Sequence, residues 1–202
     1  MPLCRGLGAT PPLGDGNCVS NFLAKNRGRV YAPFYNYWDE DENMDFQSYL
    51  AKVKIHLPDT KIITLENKET TVSYEEVFKL SWFATKLKIF SFVAYTETIS
   101  ESLIKSYSTT CLNYARKNIK GLPIGVQNGV VSNSVLVSES VDDNAISFVT
   151  ARPSKHYSAF EMPIVFDLSK NELFFYRDKI VWGMVYSSFI NNYITTKFGN
   201  KA

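Results

Sequence analysis

A regular alternation of apolar residues near the C-terminus constrains the fold more than any other feature of the sequence. Between Glu161 and Leu168 every second residue is large and apolar, the set being Met162, Ile164, Phe166 and Leu168. A period of two residues is typical of a strand with one buried face. A turn-forming run from Ser169 to Asn171 and a second apolar run, Leu173 to Tyr176, predict a hairpin.

Two details of this hairpin follow from the same residues. A shift of one residue in register decides whether Phe174 and Tyr176 or Leu173 and Phe175 face the core, and the sequence leaves this open. Pro163 donates no backbone hydrogen bond, so we expect it at a sheet edge, a bulge or a strand start.

The last part of the chain predicts an amphipathic helix. Asp178 is a suitable N-cap, and Gly199 is typical of the residue after a helix. Apolar residues recur at helical spacing on one side: Trp182, Val185, Tyr186, Phe189, Ile190 and Tyr193. The polar side carries Ser187, Ser188, Asn191, Asn192 and Thr195. We expect the apolar stripe to pack against the sheet.

Composition sets the class of protein. The chain has 202 residues, of which 45% are apolar and 21% charged, and this favours one globular domain. The net charge of +2 gives no indication of nucleic-acid or membrane-surface binding. Three cysteines, Cys4, Cys18 and Cys111, lack metal-ligand spacing and favour a reducing compartment. The N-terminus lacks an apolar signal segment, and Lys79, Lys86 and Lys88 interrupt the most apolar window, Val77 to Tyr95. We therefore expect a soluble, cytoplasmic protein without a membrane span.

Residues 1–30 differ from the rest of the chain because they are rich in glycine and proline. They have no periodic apolar face, and their paired glycines neither follow a predicted strand nor match a phosphate-binding loop. We therefore predict an arm over residues 1–30, suited to packing on a second copy, and one domain over residues 31–202. The acidic run at 39–45 lacks the EF-hand pattern and is interpreted as a solvated turn before a helix.

The middle of the chain alternates between helical and strand patterns. Helices are predicted over 46–57, 73–87, 100–120 and 140–152, the second from a capping box at Ser73 to Glu76. Strands are predicted over 61–65 and 89–96, and Asn128-Gly129 predicts a tight hairpin turn between 124–127 and 130–137. Cys111 lies on the apolar side of its helix, so we expect a buried thiol. The order predicts an α+β domain, with a mixed, mostly antiparallel sheet of about five or six strands packed against several helices.

One loop combines residues with useful chemistry. Arg152, Lys155 and His156 fall within five residues, and Pro153 keeps the segment non-helical. Arginine and lysine bind phosphate or carboxylate groups, and histidine transfers protons near neutral pH. We predict Arg152 and Lys155 as anion ligands and His156 as an acid or base. The alternative is that Arg152 only ends its helix and the other two are solvated loop residues.

A second candidate is the glycine-rich stretch from Gly121 to Gly129. Its backbone amides can approach an anion, and we place Gln127 beside the ligand of the Arg152 loop. A helix stop followed by a hairpin explains the same glycines without a ligand. His56 follows a helical run and precedes a proline, so we expect a structural role for it. No metal site or cofactor is predicted, because the zinc-protease motif is missing and a three-histidine site needs more than two histidines. The nucleophile-elbow motif of serine hydrolases is missing as well.

Two functions are compatible with these residues, and the sequence does not decide whether the chain is an enzyme. The first is a soluble intracellular binding or interaction protein that self-associates through its N-terminal arm. The second is a small enzyme that acts on an anionic small molecule, with His156 moving the proton. The enzyme hypothesis requires a carboxylate or a hydroxyl within reach of His156 in a concave site.

Overall fold

A mixed six-stranded sheet forms the centre of the computed structural model, which describes residues 44–82, 86–119, 128–179 and 184–199. In spatial order its strands are β1 (Lys61–Leu65), β2 (Lys68–Phe78), β3 (Lys86–Tyr95), β5 (Asn128–Ser138), β7 (Ala159–Asp167) and β8 (Glu172–Phe174). Two short strands, β4 (Thr98–Ile99) and β6 (Ser140–Val141), pair in parallel beside the sheet. Residues 40–202 belong to one compact unit.

In the described part of the chain four helices accompany the strands: α1 (Phe46–His56), α2 (Glu101–Lys117), α3 (Asp143–Thr150) and α4 (Met184–Phe198), with a 3₁₀ turn at Leu80–Trp82. The predicted α+β class is confirmed, but the sheet is mixed rather than mostly antiparallel. Its central strands β3, β5 and β7 are parallel, while the β1–β2, β2–β3 and β7–β8 pairs are antiparallel. Parallel neighbours need a crossover connection, and α2 and α3 supply the two crossovers.

Each face of the sheet has its own apolar core. The α1/α4 face is formed by buried residues of α1, α4 and the sheet, including Tyr49, Leu87, Val131, Phe166 and Ile190. The α2/α3 face is formed by α2, α3 and the alternate sheet residues, including Phe92, Ile104, Cys111, Leu136 and Val149. The parallel strands are therefore buried on both sides, as parallel sheets generally are.

The helix predicted from the capping box at Ser73 is wrong, because these residues lie within β2. The β2 register pairs Ser73 with Ser91 and Glu76 with Lys88 on β3. Alternation then places Val72 in the α2/α3 core and Val77 against the α1/α4 core. A capping box stabilises a helix by local contacts only, and pairing of these residues with β3 outweighs it here.

The hairpin turn predicted at Asn128-Gly129 is also wrong, since both residues begin the continuous strand β5. A Cβ atom on Gly129 would lie 2.8 Å from Cδ2 of Leu87 on the adjacent strand β3. The close approach of the Leu87 side chain, and not a positive backbone angle, is what favours glycine at this position. The two-residue hairpin of the fold lies elsewhere, at Glu66 and Asn67, which both have positive φ between β1 and β2.

The hairpin predicted near the C-terminus is confirmed, and the structure settles its register. Asn171 has φ of 52° in the turn between β7 and β8, and the register buries Leu173 and Phe175 on the α1/α4 face. β8 pairs only with Val165–Asp167, so at Pro163 strand β7 has a described partner only in β5.

Helix α4 is rotated relative to the sequence prediction. Val185, predicted to be buried, is 50% exposed, whereas Ser187, predicted on the polar side, is buried. Ile190, Tyr193 and Ile194 form the buried side of the helix. Trp182 lies outside the described residues.

Some predictions fall on other parts of the chain that the structure does not describe. These are the arm at 1–30, its boundary at residue 31, and Gln127 with most of its glycine-rich stretch. Within the described ranges, no helix combines the length and the apolar character needed to cross a membrane.

Candidate functional site

The loop that carries Arg152, Lys155 and His156 connects α3 to β7. Helix α3 ends at Thr150, where the amide of Ala151 donates to the carbonyls of Ser147 and Phe148. The loop then turns through Ser158, whose φ is 46° and whose carbonyl accepts a 3.0 Å bond from the amide of Val130 on β5. The loop is thereby fixed against the start of two parallel strands.

His156 is held by a carboxylate from the adjacent strand. Its Nε2 lies 2.6 Å from Oε2 of Glu161, the third residue of β7, and the two side chains are 26% and 13% exposed. A carboxylate only accepts hydrogen bonds, so Nε2 carries the proton of this contact. Among the described residues no partner contacts Nδ1, which is therefore the ring nitrogen left to exchange a proton.

Hydroxyl groups of α2 hold the second oxygen of the same carboxylate. Oε1 of Glu161 accepts from Oγ of Ser108 at 2.8 Å and from Oγ1 of Thr109 at 3.4 Å. Ser134 of β5 donates in turn to Oγ of Ser108 at 3.1 Å. The carboxylate thus has donors on both oxygens, which fixes its position and, through it, the imidazole ring.

This arrangement differs from a serine–histidine–acid triad. In a triad the imidazole lies between the hydroxyl and the carboxylate, whereas here Glu161 lies between Ser108 and His156. Ser108 is buried, so it is not placed to attack a substrate. The chemistry that this group of residues offers is proton transfer at His156, oriented by Glu161, and not nucleophilic attack by Ser108.

The two predicted anion ligands, Arg152 and Lys155, are both exposed in the same loop. No hydrogen bond or ion pair involving either cation occurs within the described part of the chain. The structure therefore places them in the segment of His156 without joining them to it by a direct contact. Gln127, the fourth predicted residue, lies outside the described residues.

Sequence reasoning missed Glu161 and Ser108. Glu161 is the polar start of the alternating strand, and Ser108 lies one residue beyond Tyr107 on the buried stripe of α2. Neither position has a local pattern that links it to His156, because the contact depends on how α2 packs across β5 and β7.

A separate pocket of about 220 Å³ lies where α1 approaches the end of α4. Its lining includes Lys52, His56 and Lys197. The backbone carbonyl oxygen of His56 accepts a hydrogen bond from Nζ of Lys197, and the His56 side chain is exposed.

No group of three or more histidine, cysteine, aspartate or glutamate residues that could hold a metal ion occurs in the described ranges. Cys111 is fully buried in the α2/α3 core, and this burial raises the pKa of its thiol well above the ordinary value. A buried thiol that resists ionisation is not a nucleophile.

Comparisons of the chain with protein-family models, with curated proteins and with solved structures find no match.

Proposed function

We propose that this chain is a soluble intracellular binding protein whose ligand is a small anion held at the loop of residues 152–158. The observation that supports it is the 2.6 Å contact between His156 and Glu161, which orients an imidazole in the loop that also carries two exposed cations. An oriented ring with a spare nitrogen, together with Arg152 and Lys155, offers three donors to phosphate or carboxylate oxygens when the ring is protonated.

The electrostatic balance in the loop favours an anion. Helix α3 ends two residues before Arg152, and a helix C-terminus carries about half a negative charge. Two full positive charges outweigh this dipole, while the charge of Glu161 is already engaged by His156 and the hydroxyls of α2. Binding at such an exposed site should weaken with salt, since charges are screened over about 8 Å at physiological ionic strength.

The test is a calorimetric titration of phosphate, a nucleotide and a small carboxylate into the wild type and into an Arg152→Ala, Lys155→Ala double variant. We expect the double variant to bind at least about tenfold more weakly. A Lys105→Ala, Lys117→Ala variant, which removes two exposed cations from α2, is the charge-matched control and should bind like the wild type. Equal affinity in all three proteins would remove the loop from the site.

The second candidate function is a small enzyme that acts on an anionic substrate with His156 as acid or base. The observation that favours it is the Glu161 carboxylate on Nε2 of His156, since an oriented imidazole with a free second nitrogen is suited to general acid–base catalysis. We would assay hydrolysis of phosphate and carboxylate esters by the wild type. In an enzyme, His156→Gln should abolish turnover, and Glu161→Gln should lower kcat more than it raises KM.

A simple binding protein has no turnover, so neither substitution would change a catalytic rate. Glu161→Gln would then alter only the dissociation constant of the anion. Turnover that survives His156→Gln would contradict the assignment of the proton transfer to this residue.

We also propose that the chain self-associates through residues 1–30. The proposal rests on the composition of this segment, which has abundant glycine and proline and no periodic apolar face. Sedimentation of the full chain and of a chain that begins at residue 31 tests it. The full chain should sediment as an oligomer and the shortened chain as a monomer, and identical behaviour of the two would contradict the proposal.

A further inference from the structure

The loop that connects α3 to β7 ends in a tight turn with an aromatic residue at its tip. His156 and Ala159 form an antiparallel bridge, and Tyr157 and Ser158 are the two residues of the turn between them. The φ of Ser158 is 46°, a left-handed conformation that several types of tight turn require at one central residue. Tyr157, the other central residue, is 79% exposed.

Both ends of this turn are fixed to the sheet. The ring of His156 bonds to Glu161 on β7, and the carbonyl of Ser158 accepts a 3.0 Å bond from the amide of Val130 on β5. Tyr157 therefore lies between two anchored neighbours, and only its two side-chain torsions have to be ordered when it binds a ligand. An aromatic side chain that is held in this way loses little conformational entropy on binding.

The Tyr157 ring makes no ring–ring or cation–ring contact within the described ranges. A single exposed ring is common on protein surfaces, so its exposure alone indicates no ligand. Tyr157 is distinguished by the charges in its own loop.

Two exposed cations belong to the same short loop as this ring. His156 turns inward to Glu161, whereas its neighbours on either side, Lys155 and Tyr157, are exposed. The Cα atoms of Lys155 and Tyr157 are two residues apart in the chain and therefore at most about 7 Å apart in space. Arg152 begins the loop, and no aspartate or glutamate occurs from 151 to 160. The loop thus offers an aromatic face together with two positive charges.

We infer that the anion held at this loop is a nucleotide, whose phosphate lies against Arg152 and Lys155 and whose base stacks on Tyr157. This assignment rests on the proposed binding of an anion at the loop and names its chemical class. Arginine and lysine bind phosphate oxygens, and every base has a face that stacks on an aromatic side chain. Inorganic phosphate or a small aliphatic carboxylate would leave the exposed ring unused.

A mononucleotide fits the loop better than a nucleic-acid strand. Proteins that bind single strands combine a positively charged groove along the backbone with aromatic side chains for successive bases. Residues 152–158 contain one aromatic ring besides the engaged imidazole, and the net charge of the whole chain is only +2. These groups match one base and one phosphate.

The experiment is a calorimetric titration with adenosine monophosphate and with ribose 5-phosphate, which lacks the base. The wild type should bind the nucleotide on the order of 10- to 100-fold more tightly, the factor expected for stacking of one base. Tyr157→Leu should lose this preference but bind ribose 5-phosphate like the wild type. Tyr157→Phe, which keeps a ring, should retain the preference. Because Tyr157 is exposed, neither substitution removes a core contact.

Two further variants serve as controls. Phe78→Leu removes a different exposed ring, on a strand that β3 and β5 separate from β7, and should bind both molecules like the wild type. The Arg152→Ala, Lys155→Ala variant should weaken the binding of both molecules, because it removes the contacts to the phosphate that they share.

The outcomes separate the nucleotide from the anion site itself. If ribose 5-phosphate binds through Arg152 and Lys155 but the nucleotide binds no more tightly, the anion site stands and the nucleotide assignment is overturned. A preference that survives Tyr157→Leu also overturns it. If neither molecule binds the wild type, both proposals are wrong. A short DNA single strand that binds more than about 100-fold more tightly than the mononucleotide would overturn the assignment in favour of nucleic acid.

Discussion

The two faces of the sheet are built from the same strands but differ in how their helices are attached. Both ends of α2 connect to parallel strands of the sheet, β3 and β5, so the helix must cross the face that these strands share. On the other face α1 precedes the first strand and α4 follows the last, so these helices are held chiefly by side-chain packing. The difference shows how connectivity decides which helices are fixed by the chain at both ends and which are held by packing.

The two faces also differ in the side-chain contacts that they bury. On the α2/α3 face the buried hydroxyls of Ser108 and Ser134 pair with each other and lead to Glu161. The α1/α4 face is dominated by aromatic contacts, such as Trp82 edge-on to Tyr186 and Phe189. The α2/α3 face thus holds a polar network, whereas the α1/α4 face is filled largely by aromatic rings and has a pocket at its margin.

The largest expected effect is the protection of the Cys111 thiol from labelling, because this residue lies on the buried side of α2. Labelling with a thiol reagent requires opening of the α2/α3 core, because burial raises the pKa of the thiol and blocks access. Cys111 should therefore react on the order of 10³-fold or more slowly in the folded chain than in denaturant. Cys4 and Cys18 should react faster than Cys111 without denaturant, and rapid labelling of Cys111 would mean that this face is not closed.

The next largest effect is expected for Phe166→Ala on the α1/α4 face. Phe166 is fully buried against the ring of Tyr49, and removal of a buried aromatic ring costs roughly 3–5 kcal/mol of unfolding free energy. Phe78→Ala is the control, because Phe78 is 50% exposed. Urea unfolding measures both, and a loss below about 1 kcal/mol for Phe166→Ala would show that α1 does not pack as described.

A smaller effect concerns Asp167 at the end of β7. Burial favours a raised pKa, but hydrogen bonds from Ser169 and Lys170 and the ammonium of Lys170 outweigh it and lower the pKa below its ordinary value. Because the pKa of Asp167 is lower in the folded chain than in the unfolded chain, its charged form stabilises the fold. This stabilisation is complete above the pKa in the unfolded chain, about 3.9, and is lost as the pH falls through the pKa in the folded chain.

Asp167→Asn should therefore cost about 1–3 kcal/mol at neutral pH. Its deficit relative to the wild type should shrink as the pH is lowered below about 4. Unfolding curves at several pH values measure this, and a deficit that stays constant down to pH 2 would contradict the assignment.

The smallest expected effect is a gain in stability from a substitution at Asn133, compared with a loss at its neighbour Ser134 on β5. The fully buried amide of Asn133 has no hydrogen-bond partner among the described residues, whereas the hydroxyl of Ser134 is bonded. Replacing an unpaired polar group by an apolar one of similar size removes a desolvation cost. Asn133→Leu should stabilise by about 1 kcal/mol and Ser134→Ala should destabilise by about 1 kcal/mol. Destabilisation by Asn133→Leu would mean that the amide is bonded in solution.

The sequence predicted the elements whose signals are complete within a few residues. Helix α2 begins where Ser100 caps it, with Oγ accepting from the amide of Leu103, and β1 and β7 lie close to their predicted positions. It failed at Ser73 and at Gly129, where an apparent local signal has a different cause. Ser73 lies in a strand and pairs with Ser91 of β3, and Gly129 faces Leu87 on the adjacent strand.

The sequence by itself determined the α+β class, most helix and strand positions, and the loop in which two cations and His156 lie together. These follow from periodicity, caps and turns, which act over three to four residues. Only the tertiary structure decided that the central strands are parallel, that Glu161 and not a serine faces His156, and that α1 and α4 leave a pocket lined by Lys52, His56 and Lys197. The physical reason is that strand pairing and helix packing join residues far apart in the chain, so no short stretch of sequence records them.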